Sequence, residues 1–328
     1  MTAINNGFKD INQMFERSTL RVFLACACAI LSLFVMPVWA DSSYQFSLGV
    51  HGADLDYDGG ADGEGYGLYA AAYLEPIKLT AAMPYNLTPF YTRTSGLFLN
   101  TSKSRVTDLN QVRGWQVLKK MDGHVSSVGM RLANADLPVW ASLDYTRVGS
   151  SHYQFSSQSR ATADRRYIKS ATVGLFLNDT LGAYGFYEDD NEVDSYGLGA
   201  HYLHSLGNFG FVETGLQYTK IDVDNEKISL EVVNGTVRNS NVQAGNESDR
   251  VVSLRYFPTV KAEIGLRYRK MDYDHDSYGY SVIANASYYI LSHLQLGVRY
   301  QEVHQDDGAI RMSKMEYKSV SGSVSFKF

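Results

Sequence analysis

The chain has 328 residues, with 30 Lys and Arg against 35 Asp and Glu for a net charge of −5, and 45% of it is hydrophobic. That composition excludes a mainly disordered chain, and the acidic balance argues against a nucleic-acid partner. Beyond Val22–Met36 no apolar run approaches the roughly 20 residues a membrane helix needs, so a helical membrane protein is excluded too.

Residues 1–40 have the order of a cleaved export signal. Arg17 and Arg21 precede the apolar run, Pro37 breaks it, and Val38-Trp39-Ala40 stands before Asp41. Cys26 after Phe23-Leu24-Ala25 makes a poor acylation box, and a retained anchor needs a longer run. Cys26 and Cys28 are the only cysteines, so an exported domain over 41–328 must hold itself together without disulfides.

After the leader, apolar residues alternate with small or polar ones. The first such segment has Tyr66, Leu68, Ala70, Ala72 and Leu74 on one parity. The same period of two recurs at Val139/Ala141/Leu143/Tyr145, Ala171/Val173/Leu175, Tyr196/Leu198/Ala200/Tyr202, Ala262/Ile264/Leu266/Tyr268, Tyr278/Tyr280/Val282/Ala284 and Leu294/Leu296/Val298/Tyr300. Period two means strand. Strands of about ten residues suit a tilted bilayer crossing better than a soluble sheet.

Strands are predicted at 43–52, 64–75, 88–99, 124–133, 138–148, 166–177, 180–188, 194–204, 209–220, 248–256, 260–270, 278–290, 294–302 and 316–328. The links between them alternate. Tight turns sit at Asn178-Asp179, Ser205–Asn208, Phe257-Pro258-Thr259 and Leu291-Ser292-His293, and longer polar links around 53–63, 100–123, 149–165, 221–247 and 303–315. An up-and-down antiparallel transmembrane β-barrel has this asymmetry, with short periplasmic turns and longer extracellular loops. The count is about fourteen strands. Twelve or sixteen are also compatible, because 75–87 is long for an inner turn and Trp115–Leu118 could hide another strand.

The last segment, Val320 to Phe328, alternates without a break and ends on an aromatic residue. It resembles the terminal strand of Gram-negative outer-membrane β-barrels, which implies that Phe326 and Phe328 are read by the barrel-assembly machinery. The stretch Tyr73-Leu74-Glu75-Pro76-Ile77 leading to Pro89-Phe90-Tyr91 resembles a segment near the second strand of a family of proteobacterial porins. The first likeness covers 41–328 and implies outer-membrane localisation; the second is short.

The inward parity of such a barrel supplies Arg131, Arg255, Lys261, Arg267, Arg269, Arg299 and Lys327 with Glu213, Glu263 and Asp144. These are the predicted pore-lining charges. They either set a transverse field across a wet pore or brace the wall as ion pairs. Nothing that looks like a plug precedes the first strand, whereas the 221–247 link could enter the pore.

Acidic residues gather in the predicted outer links: Asp54, Asp56 and Asp58 with Asp62 and Glu64, and Asp272, Asp274 and Asp276. The first set begins like a calcium loop, yet position twelve is Gly65, so at most a loosely bound Ca or Mg is expected. Solvation of loops, cation bridging to lipopolysaccharide phosphates, and cation focusing at a pore mouth all fit.

The eight histidines offer little for catalysis. None lies in a nucleophile elbow or a His-x-x-x-His helix, and His201 and His204 should face opposite sides of a strand. His51 beside Asp54, or His275 between Asp274 and Asp276, could form an acid–base pair at the rim. The expectation is a non-enzymatic porin for passive diffusion of small hydrophilic solutes, without cofactor, in contact with outer-membrane lipid and lipopolysaccharide, and compatible with a homo-oligomer. The alternatives are a structural or adhesive barrel with a narrow lumen and, on thinner grounds, a rim hydrolase.

Overall fold

The computed structural model describes residues 43–57, 61–113, 116–154, 161–189, 193–223, 228–233, 236–241, 246–272, 278–305 and 315–328. The expected leader, 1–40, lies outside them. Strands run at β1 Ser43–Tyr57, β2 Ala61–Lys78, β3 Gly96–Arg113, β4 Gln116–Ala133, β5 Val139–Gln154, β6 Ala161–Phe176, β7 Leu181–Asp189, β8 Val193–Ser205, β9 Phe211–Val223, β10 Ile228–Val233, β11 Thr236–Asn241, β12 Asn246–Thr259, β13 Ala262–Asp272, β14 Tyr278–Leu291, β15 Leu294–Gln305 and β16 Met315–Lys327. Fourteen of them, all but β10 and β11, close into one antiparallel barrel in which neighbours in sequence are neighbours in space, β9 pairs β12, and β16 returns to β1.

Alternation explains the two faces. Leu198 is 70% exposed, Val173 63% and Leu216 60%, so the apolar parity points away from the barrel axis, with Tyr145, Tyr187, Tyr196, Tyr218 and Tyr268 exposed on the same face. Leucines facing outward would be a fault in a soluble sheet and are a requirement in lipid. Closure leaves no sheet edge with unpaired backbone groups, which is what permits strands to cross a bilayer. Short connections at 134–138, 177–180, 206–210, 260–261 and 292–293 lie at the end that also holds Ser43 and Phe328. In transmembrane barrels of this architecture the short turns face the periplasm.

Four expectations need correction. Residues around 53–63, 100–123 and 149–165 are largely strand, not loop; β2, β3 and β4 reach 18 residues each. Gln116 to Leu118 belongs to β4 and adds no strand. The predicted strand 88–99 begins only at Gly96; before it, Thr88–Tyr91 forms one helical turn, α1, with Pro89 in its first turn. Within 221–247, β10 and β11 form a separate two-stranded ribbon.

Candidate functional site in the barrel lumen

The link from β2 to β3, residues 79–95, does not turn back at the periplasmic rim. It crosses the lumen. Three backbone features set its path. Thr88 caps back onto Pro84 through both its amide and its hydroxyl, each at 3.1 Å. Tyr85 donates its amide to the Val260 carbonyl at 2.9 Å. Arg93 then takes a left-handed φ of 55°, and its guanidinium reaches the Ala135 carbonyl at 3.1 Å and Asp179 at 3.2 Å across two periplasmic turns.

Asn86 fastens the segment to the wall of β13, β14 and β15. Its Nδ2 donates to Glu263 at 2.5 Å and to Ser287 at 3.1 Å, while its Oδ1 accepts from Tyr289 at 2.6 Å and from Gln295 at 3.0 Å. All four capacities of one amide are thereby used. On the opposite side Leu87 and Tyr91 pack with Phe176, Leu203 and Phe257, and Met83, Phe90, Trp140 and Phe211 border that cluster. Phe90 makes edge contacts with Trp140 at 5.4 Å and His201 at 4.8 Å. His201 needs the glycine at Gly182, where a Cβ would stand 2.4 Å from its ring. A second cluster, Tyr44, Ile77 and Leu79 with Tyr73 and Tyr85, fills the β1–β2 side. The periplasmic end of the lumen is therefore apolar and aromatic, where a polar, wet lining was expected throughout.

Above this floor lies a cavity of ≈ 890 Å³. Its lining includes His51, Glu213, Arg255, Glu263, Arg267, Asn285 and Arg299. Of the predicted pore-lining charges, Glu213 and Arg255 form an ion pair, and Tyr91 adds a hydrogen bond to Glu213 at 3.1 Å. Burial pushes the Tyr91 phenol pKa up, and the adjacent Glu213 carboxylate pushes it further. Glu263 is engaged by Asn86 and by Asn285 at 3.0 Å, and Arg269 pairs with Asp249. Two placements differ from expectation. Arg131 does not project into open pore: its guanidinium binds the Pro89 carbonyl at 2.7 Å and the Thr94 carbonyl at 3.0 Å and lies over Phe90. Lys261 sits in the turn before β13 rather than in the wall. Lys327 donates to Tyr289 and rests against the rings of Tyr44 and Tyr289 at 4.6 and 4.5 Å.

The acidic set lies elsewhere than a pore mouth. Asp54 pairs in register with Glu64 and Asp56 with Asp62, and these positions share the outward parity of Leu48, Tyr66 and Leu68. They stand on the outer wall of extended strands, and the same parity separates Asp54 from inward His51, which removes that acid–base pair. Asp272 ends β13 and pairs with Lys270 at 2.7 Å and with Arg250 at 3.7 Å. Asp58, Asp274, His275 and Asp276 lie outside the described residues. Among the described residues no group of three His, Cys, Asp or Glu is arranged to hold a metal. At the seam, Phe326 pairs with Leu48 and Leu294, and the Phe328 carbonyl accepts from the amides of Gln45 at 2.9 Å and Phe46 at 2.7 Å, its ring stacked on Phe46 at 6.0 Å.

Sequence reasoning missed Asn86 and the floor around Phe90. The available signal was Pro84 and Pro89 in a link too long for an inner turn.

No protein-family model matches the chain, and no curated protein matches it. Among solved structures it is similar to the Acinetobacter baumannii outer membrane protein Omp33, at 14% identity and a TM-score of 0.49 over 88% of this chain and 99% of that one. It is also similar to a Pseudomonas aeruginosa FadL homologue, at 10% identity and 0.49 over 87% and 90%, and to the beta domain of the Bordetella autotransporter BrkA, at 10% and 0.44 over 88% and 100%. What the lumen can do is read from its own residues.

Proposed function

We propose that the chain is an outer-membrane channel for small hydrophilic solutes whose periplasmic end is stoppered by residues 79–95. The carrying observation is the cavity of ≈ 890 Å³ standing on that floor, whose mixed lining includes the charged groups of Glu213, Arg255, Glu263, Arg267 and Arg299. Wall charges, serines and amides hold water, so solutes that keep their hydration can enter where apolar ones lose it. The segment joins no strand ladder and is held by side-chain contacts and the Tyr85–Val260 backbone hydrogen bond, which can be exchanged without opening the barrel. The outer-wall carboxylates Asp54, Asp56, Asp62 and Glu64 suit cation-bridged contact with lipopolysaccharide phosphates, and Phe328 suits recognition by the assembly machinery. The reading involves no catalysis.

The packed floor of Leu87, Tyr91, Phe176 and Phe257 also fits a structural or adhesive barrel with a closed lumen. Single-channel recording of the refolded 41–328 chain in planar bilayers separates the two. Openings in the wild type that become longer in Phe90→Ala support the channel. Silence in both, with intact heat-modifiable barrels, establishes the closed form.

A further inference from the structure

Most charged groups that the barrel wall turns inward near the cavity are held by partners. Arg255 has Glu213, Arg269 has Asp249, and Glu263 accepts hydrogen bonds from the neutral amides of Asn86 and Asn285. Arg267 and Arg299 differ. Among the described residues neither forms an ion pair, Arg267 donates no hydrogen bond, and Arg299 gives one, to the neutral Gln301 at 2.8 Å. Both are exposed, and both line the cavity.

The register explains how they meet. Arg267 on β13 pairs with Ile283 of β14, and Arg299 on β15 pairs with Asn285 of the same strand. They therefore flank β14 diagonally, their backbones about 12 Å apart across two strand spacings and two residues of offset. Side chains of arginine length cover that gap from both sides. The wall beside them is closely fitted: Gly265 opposes Asn285 and Gly297 opposes Ser323, and these side chains lie over the glycines, where a Cβ would stand 2.4 Å from Asn285 or 2.6 Å from Ser323. Two guanidiniums thus share the cavity wall with an amide, Asn285, and a hydroxyl, Ser323.

Two like charges on one wall of the lumen, without a protein counter-charge among the described residues, repel each other and favour a mobile anion between them. The fork of a guanidinium matches two oxygens of a delocalised oxyanion, which a halide cannot offer. We infer that Arg267 and Arg299 form an oxyanion-binding site in the lumen, taking small solutes that carry a carboxylate or a phosphate group. This rests on the channel reading only for its role in transport; binding is independent of conduction.

Isothermal titration of the full barrel in detergent tests the site, with sodium succinate and inorganic phosphate as probes and sodium chloride as reference. Saturable binding of either probe, unmatched by chloride, is expected; succinate alone or phosphate alone identifies the source of the oxyanion. Arg267→Gln with Arg299→Gln should weaken it by about tenfold or more, the loss of charge-assisted hydrogen bonds. Arg250→Gln, which removes a positive charge from the outer wall, should bind as the wild type does. No binding to the wild-type barrel, or equal binding to the double variant, overturns the site. Bilayer recording then distinguishes the failures: a conducting wild type that binds neither probe keeps the channel and removes the site, and a silent barrel that binds either keeps the site and removes the channel.

Discussion

Asn86, midway along the segment that crosses the lumen, and Glu263, on the wall of β13, are held 2.5 Å apart. The contact joins a movable element to a fixed one, and three further hydrogen bonds of Asn86 converge on the same point. Asn86→Ala should leave Glu263 with one described partner fewer and destabilise the closed arrangement by about 1–3 kcal/mol. Channel openings should become more frequent while the unfolding temperature of the barrel falls only slightly; unchanged gating would show that the apolar floor alone holds the segment.

Leu266 and Arg267 are adjacent and face opposite sides of one wall. Leu266→Arg should cost about 2–4 kcal/mol if it lies near the bilayer midplane. Arg267→Gln should leave stability close to wild type and alter ion preference. Refolding titrations into lipid vesicles, compared with reversal potentials, would show equal stability costs if the faces were reversed.

Phe328 closes the seam through its backbone and stacks its ring on Phe46. Phe328→Ala keeps the carbonyl and loses the ring. Outer-membrane levels should drop with export unimpaired, seen as less heat-modifiable barrel and more periplasmic aggregate.

Tyr91 donates to Glu213 from inside the floor. Its pKa is raised in the folded state, so the folded barrel holds the phenolic proton more tightly than the unfolded chain. Stability linked to it is intact below the ordinary tyrosine pKa of about 10 and falls as pH rises beyond it. Wild-type openings should therefore increase from pH 9 to pH 11 more than those of Tyr91→Phe, which has no proton to lose.

Strand existence, count and facing were legible because lipid outside and water inside impose the period of two, as at Ala262–Tyr268 or Leu294–Tyr300. Strand length was not. Beyond the bilayer both faces of the wall meet water, so Thr101-Ser102-Lys103-Ser104-Arg105 loses its apolar parity and reads as loop although it continues β3. The crossing segment was hidden for another reason. Pro89-Phe90-Tyr91 has the composition of a strand start, and only the aromatic residues of distant strands, Trp140, Phe176 and His201, make a lumenal floor the better place for Phe90. The charges facing inward could be named from parity, but which of them were paired could not, because pairing depends on cross-strand register.

Residues 79–95 are anchored at both ends in strands of the wall and lie within it, a bung tied to its own cask. The seam joins residues as remote in sequence as Ser47 and Lys327. That seam need not open for the segment to seat, because residues 79–95 leave the wall at the periplasmic rim and reach the lumen through the open mouth. What the segment does need is a finished wall: Asn86 meets its four partners only where β13, β14 and β15 already stand side by side in their final register.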